Sequence, residues 1–194
     1  MIKILATFIV LFLLVLLYPL SGAIDFKNVS PLIFKYEGTK YHDYPNDPGG
    51  PTKFGWTLRS YRSMVDREAT INTIKFLSKN KAANLYEYYW WNKFGASRLV
   101  NHNLALCIIL AQINLGANRP NRLLQETVND VCHKKLTIDG VLGTKSLDAI
   151  NECQIWPMFP FILHDFYFNN PEIAPVWKWA KKGLTKRILH GVEN

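Results

Sequence analysis

Apolar and polar positions are spread unevenly along the chain. From Ile4 to Ile24 no residue is charged, a stretch of 21 that contains the unbroken apolar run Phe8–Leu17. About 20 apolar helical residues cross a bilayer core of ~30 Å, so the pattern predicts one membrane-spanning helix here. A buried core helix would show a polar face, and this segment has none. Lys3 supplies the positive flank expected on the cytoplasmic side. Ser21-Gly22-Ala23 offers small residues where a signal peptidase reads, so residues 1–23 are either a cleaved signal peptide or a retained anchor.

Beyond Ala23 the pattern becomes helical and broken. Ser30 as cap and Pro31 at the first helical position predict a helix that ends at Glu37-Gly38. His42 to Thr57 holds three glycines and three prolines too closely spaced for a helix, so it reads as a loop or short hairpin. Ser78 caps a helix to about Phe94. Asn103 caps another, with Leu104, Ile108, Ala111 and Leu115 at helical spacing and Gly116 as the stop. Asn118 or Asn121 opens a third, reaching about Val131. An Asp139-Gly140 turn follows, then helices over Thr144–Glu152, Met158–Asn169 and Ile173–Leu189. The expected class is mainly α, one compact helical domain over residues 24–194.

Composition narrows the partners. The chain carries 23 Lys+Arg and 15 Asp+Glu among 194 residues, a net charge of +8. Aromatic content of 13% and moderate charge exclude a disordered or collagen-like chain. Three cysteines make no disulfide scaffold. Cys107 lies in an apolar run and reads as a core residue, while Cys132 and Cys153 can pair outside the cytoplasm. The histidines are scattered and no metal-ligand spacing occurs, so neither a metal nor a cofactor is expected. The positive charge suits an anionic envelope polymer, and no nucleic-acid motif accompanies it. Lys178, Lys181, Lys182, Lys186 and Arg187 read as a solvated helix face.

The candidate chemistry lies near the start of the exported part. Glu37 closes an apolar helix beside Phe34 and Tyr36, where partial burial would raise its pKa into the range of a general acid. Asp43, Asp47, Thr52 and Thr57 follow on the breaker-rich loop. Opposed carboxyls cleave glycosidic bonds, one protonating the leaving oxygen and the other stabilising charge or activating water. Taken singly, Glu37 could be a surface glutamate and Asp47-Pro48-Gly49-Gly50 a plain turn.

Together the blocks Phe34–Gly38 and Asp47–Thr57 resemble the N-terminal signature of glycoside hydrolase family 108. The similarity continues through Leu85–Trp90, Ile113–Gly116 and Asp139–Gly143, and ends near Trp177–Trp179. The resemblance implies a lysozyme-like fold and an N-acetylmuramidase that cuts the β-1,4 bond between N-acetylmuramic acid and N-acetylglucosamine. It implies Glu37 as catalytic acid. The order Glu37, Asp47, Thr52 also resembles the Glu-Asp-Thr order of phage-type lysozymes, with Asp43 and Thr57 as rivals for the second and third roles. Two departures stand out: Thr39 replaces a second glycine, and the acidic residue expected before the Asn-x-Gly motif is missing, with Gln112 nearby. About residues 104–190 resemble the family's peptidoglycan-binding part.

Six aromatics crowd the segment Tyr86–Phe94, more than one core stripe accommodates, so some are expected to meet sugar rings. Tyr89 and Trp90 are the candidates, with Asn114 of the Asn-x-Gly motif as a further substrate-binding residue. The expected partners are peptidoglycan glycan strands and, through the N-terminal helix, the membrane, with no nucleic acid and a monomeric enzyme. This places the catalytic part on the wall side of a bacterial inner membrane, in a phage lysis or bacterial wall-opening role. A lytic transglycosylase on the same fold and a non-catalytic wall-binding protein are the alternatives.

Overall fold

The structure is a computed structural model that describes residues 25–45, 49–156, 158–171 and 181–189. The N-terminal segment 1–23 therefore lies outside the described residues, as do Asp47 and much of the helix expected over Ile173–Leu189. Among the described residues no helix is long and apolar enough to cross a membrane. The fold is mainly helical, with one small hairpin, and it divides into two compact units that meet in sequence at Tyr89/Trp90.

The first unit, Asp25–Tyr89, opens with α1, Phe26–Glu37. The helix starts earlier than the Ser30-Pro31 pair predicts. Asp25 is the cap and accepts a hydrogen bond from Lys27 N at 2.9 Å. Pro31 consequently sits inside the helix, where it removes one backbone hydrogen bond. Phe26, Val29, Ile33 and Phe34 are buried along one side, at about 1.5–3 kcal/mol each, which offsets that loss.

The loop then forms a hairpin, β1 (Thr52–Lys53) and β2 (Trp56–Thr57), with Thr52 opposite Thr57 and Lys53 opposite Trp56. A single bridge adds His42 on the other side of Thr52. Two short helices follow that the apolar pattern does not announce, α2 (Leu58–Met64) and α3 (Ile71–Lys75). Each is opened by a capping box, Thr57 with Ser60 and Thr70 with Thr73. Ser78 caps α4, Lys79–Tyr86, as expected. The core of this unit is aromatic: Trp56 meets Tyr86 at 5.4 Å and Tyr61 at 5.9 Å between ring centres.

The chain passes into the second unit through a π-helical stretch, Glu87–Lys93. Trp90 and Trp91 within it are both buried. After a short 3₁₀ turn, Ala96–Arg98, comes α5, His102–Leu115, capped by Asn101 two residues ahead of the expected Asn103. Leu104 to Gln112 are buried without interruption, so α5 is the central helix of this unit. Around it pack α6 (Asn118–Cys132), α8 (Met158–Asn169) and α9 (Lys181–Ile188), with α7 (Thr144–Cys153) against α6.

Cys132 and Cys153, at the ends of α6 and α7, form a disulfide with Cα atoms 5.9 Å apart. Cys107 is buried in α5, and burial pushes its thiol up to about 12.

Candidate active site

Glu37 is the last residue of α1, and its side chain is half-buried. Ile33 and Phe34 point into the core and fix the final turn of the helix. Phe34 meets Phe54 edge-on at 5.7 Å and Tyr86 at 6.0 Å, so Glu37 stands at the margin of an aromatic cluster, as the sequence suggests.

The hairpin is built around that margin. Its two turn residues, Phe54 and Gly55, both have positive φ, +55° and +78°. This is the twist a two-residue β-hairpin needs, and it is costly for a phenylalanine. The Phe54 ring is buried against Phe34, and the Phe54 carbonyl accepts a 2.9 Å hydrogen bond from Tyr86 Oη. These contacts hold the strained residue in place. Gly55 lies flat on the glutamate: a Cβ there would stand 2.7 Å from Glu37 Cβ and 2.4 Å from Tyr86 Oη. The backbone of the turn is thus one wall against the stem of the carboxyl side chain.

Three residues earlier in the same hairpin, Thr52 is 7% exposed and its hydroxyl donates to the Gly50 carbonyl at 2.8 Å. With its proton committed, Thr52 Oγ1 can offer a water an acceptor rather than a donor. Its rival Thr57 is occupied as a cap, accepting from Ser60 N at 3.0 Å and bonding Ser60 Oγ at 3.0 Å. Asp43 is exposed beside the His42 bridge and accepts from Tyr41 Oη at 3.4 Å. Asp47, the preferred second carboxylate, lies outside the described residues.

The substrate-binding candidates separate. Tyr89 belongs with Glu37 in the first unit, half-buried, its ring 6.2 Å from Trp56 and its hydroxyl donating to the Met64 carbonyl. Trp90 and Asn114 belong to the second unit. Trp90 is 6% exposed, a packing position in this conformation. Asn114 is half-buried and donates one turn back to the Leu110 carbonyl at 2.8 Å. Among the described residues no cluster of His, Cys, Asp or Glu could hold a metal ion.

Both departures from the family pattern have a structural context. Gly38 takes the positive φ of +80° after the helix and Thr39 does not, so a side chain at 39 meets no backbone conflict. Gln112 is fully buried in the second unit, donating to Asn121 Oδ1 at 2.8 Å and to the Phe94 carbonyl at 3.4 Å. It joins a polar network around the Asp139-Gly140 turn. Gln125 accepts from Gly140 N at 2.8 Å and donates to Asp139 Oδ1 at 2.9 Å, and Asn121 donates to the Gly140 carbonyl at 3.0 Å.

Sequence reasoning missed the supports of Glu37. The dipeptide Phe54-Gly55 between two short β-prone pairs is a readable turn signal. Tyr86 is not readable in this way, because it reaches Phe54 across 32 positions.

A family model described as Glycosyl hydrolase 108 matches residues 31–116, which include Glu37, the hairpin and the Asn-x-Gly motif. Eight solved chains match the protein. One, a structure of Brucella abortus SagA, is 25% identical, with 87% of this chain and 96% of that chain covered and a TM-score of 0.66. No curated protein matches it.

Proposed function

Because the chain belongs, through residues 31–116, to glycosyl hydrolase family 108, we propose that this glycoside hydrolase acts on peptidoglycan with Glu37 as its acid. The bond cut is the β-1,4 link between N-acetylmuramic acid and N-acetylglucosamine. The observation that carries this reading is the packing of the Glu37 stem against the Phe54-Gly55 turn, which leaves a carboxyl held at the edge of an aromatic cluster.

In the reaction, Glu37 gives its proton to the glycosidic oxygen as the C1–O bond breaks. Positive charge develops on the sugar ring and is stabilised by a second carboxylate, Asp47, or Asp43 as its rival. Thr52 accepts a hydrogen bond from the water that adds to C1, which turns a lone pair of that water toward the sugar, and the proton the water gives up passes to a carboxylate of the pair. Tyr89 contributes its ring rather than its hydroxyl, which is already bonded to Met64. Asn114 is assigned to the glycan strand by the family resemblance, whereas Trp90, at 6% exposure, packs within the second unit.

The enzyme works outside the cytoplasm, exported or tethered by its N-terminal segment, in phage lysis or bacterial wall opening. The Cys132–Cys153 bridge supports an oxidising compartment, and the net charge of +8 supports attraction to an anionic wall.

The test is digestion of purified sacculi by the wild type and by Glu37→Gln. A general acid contributes about 10²–10⁴-fold, and a loss of that size is expected. Undiminished lysis by the variant would refute the assignment. Mass spectrometry of the released fragments separates the chemistries: reducing muramic acid ends are expected, whereas 1,6-anhydro ends would mean a lytic transglycosylase. Binding to sacculi without any cleavage would mean a wall-binding protein.

A further inference from the structure

We infer that the stacked pair His42 and Tyr44 is a sugar-binding platform, an additional subsite for the N-acetylated glycan strand beside the hairpin that supports Glu37. The inference rests on the reading above and extends it to a site nothing else assigns. Four observations carry it.

First, Tyr44 is 66% exposed, yet its ring lies nearly parallel to that of His42, with centres 4.8 Å apart and planes 25° from each other. An exposed tyrosine backed on one side presents the other as a flat apolar surface with a polar tip. The C–H faces of pyranose rings stack on such a surface.

Second, the backing residue is fixed. His42 N donates to the Thr52 carbonyl at 2.9 Å, and Thr52 N donates to the His42 carbonyl at 2.8 Å. The platform is therefore attached directly to the strand that leads to the Glu37 wall, and it loses little freedom when a ligand docks.

Third, the register sets its direction. Residues directly opposite in an antiparallel pair share a face, so His42, Thr52 and Thr57 form one row, while Trp56 points the other way into the core. The platform thus lies on the same face as Thr52. Thr52 opens the strand that runs into the Phe54-Gly55 turn against Glu37, so the platform is joined to the same hairpin that supports the acid.

Fourth, His42 Nδ1 is buried and has no hydrogen-bond partner among the described residues. A buried nitrogen left unpaired is unfavourable, so hydrogen bonding does not explain why the ring stays there. Stacking under Tyr44 does.

The experiment measures binding of a soluble N-acetylglucosamine tetramer to the full chain by NMR titration, in a Glu37→Gln background so that no cleavage occurs. Tyr44→Ala should weaken binding about 2- to 10-fold, and Tyr44→Phe, which keeps the ring, should bind like the parent. Phe76→Ala, which removes another exposed ring, should leave binding unchanged. Parent-like binding by Tyr44→Ala, or an equal loss in Phe76→Ala, overturns the platform. The two readings fail separately. Weakened binding in Tyr44→Ala with no cleavage of sacculi by the wild type would sink the hydrolase and leave the platform standing. Normal cleavage with unaffected binding would do the reverse.

Discussion

At Gly55 two independent constraints meet, a φ of +78° and the absence of space for even one carbon between Glu37 and Tyr86. Gly50 shares the first constraint, with φ +72°, but has no atom within 4 Å of where a Cβ would stand. Strain alone costs about 1–3 kcal/mol, so Gly50→Ala should lose that much. Gly55→Ala should lose more and should also displace the glutamate. Urea midpoints and sacculus lysis of the two variants check this, and equal stability losses would show that the contact with Glu37 contributes nothing. At this scale the sequence was informative where chemistry is local. Glu37 at a helix end beside aromatic residues is legible, and so is the place of Thr52 in a loop or short hairpin. What remained hidden was the long-range grip of Tyr86 on Phe54 and, close by in sequence, the use of Thr57 as a cap with Ser60 in place of a catalytic hydroxyl.

The turn Asp139-Gly140, between α6 and α7, behaves as an element with its own pH dependence. The Asp139 carboxylate accepts from Gln125 Nε2 at 2.9 Å and from Val141 N at 2.8 Å, and these bonds hold its pKa below the ordinary aspartate value. A carboxyl depressed in the folded state contributes stability above its unfolded pKa of about 3.9. That contribution is lost as pH falls through the lower folded value. Stability should therefore drop more steeply on acidification in the wild type than in Asp139→Asn, which keeps an acceptor oxygen but cannot titrate. Denaturation midpoints between neutral and strongly acidic pH measure it, and parallel curves would count against the network. Gln125→Ala should destabilise this unit at all pH values by about 1–3 kcal/mol, because it strands the buried Gly140 N–H. Helices with long apolar spacing were readable to within a residue or two, as α8 and the start of α4 show. The start of α1 was misread because Ser30-Pro31 imitates a helix start, whereas Asp25 caps a further turn that buries Phe26 and Val29. α2 and α3 were missed because they are 7 and 5 residues long, with hydroxyl capping boxes in place of the Glu or Gln that usually marks one.

At the scale of the whole molecule, the division at Tyr89/Trp90 has no compositional trace. It falls inside continuous helical backbone, with neither proline nor glycine from Leu77 to Phe94 to mark a linker. The disulfide belongs to the second unit and closes a separation of 21 residues across α6 and α7. A loop of that length is worth about 3 kcal/mol, so reduction, or Cys132→Ser with Cys153→Ser, should lower the melting temperature of the chain. An identical melt with and without reductant would mean the bridge contributes nothing. The third cysteine bears on the same bond. Burial pushes the Cys107 thiol up to about 12, so it stays protonated at neutral pH, and it is enclosed in α5. The attack that starts disulfide shuffling requires a thiolate, so the folded chain keeps an odd sulfur without scrambling its one correct pairing.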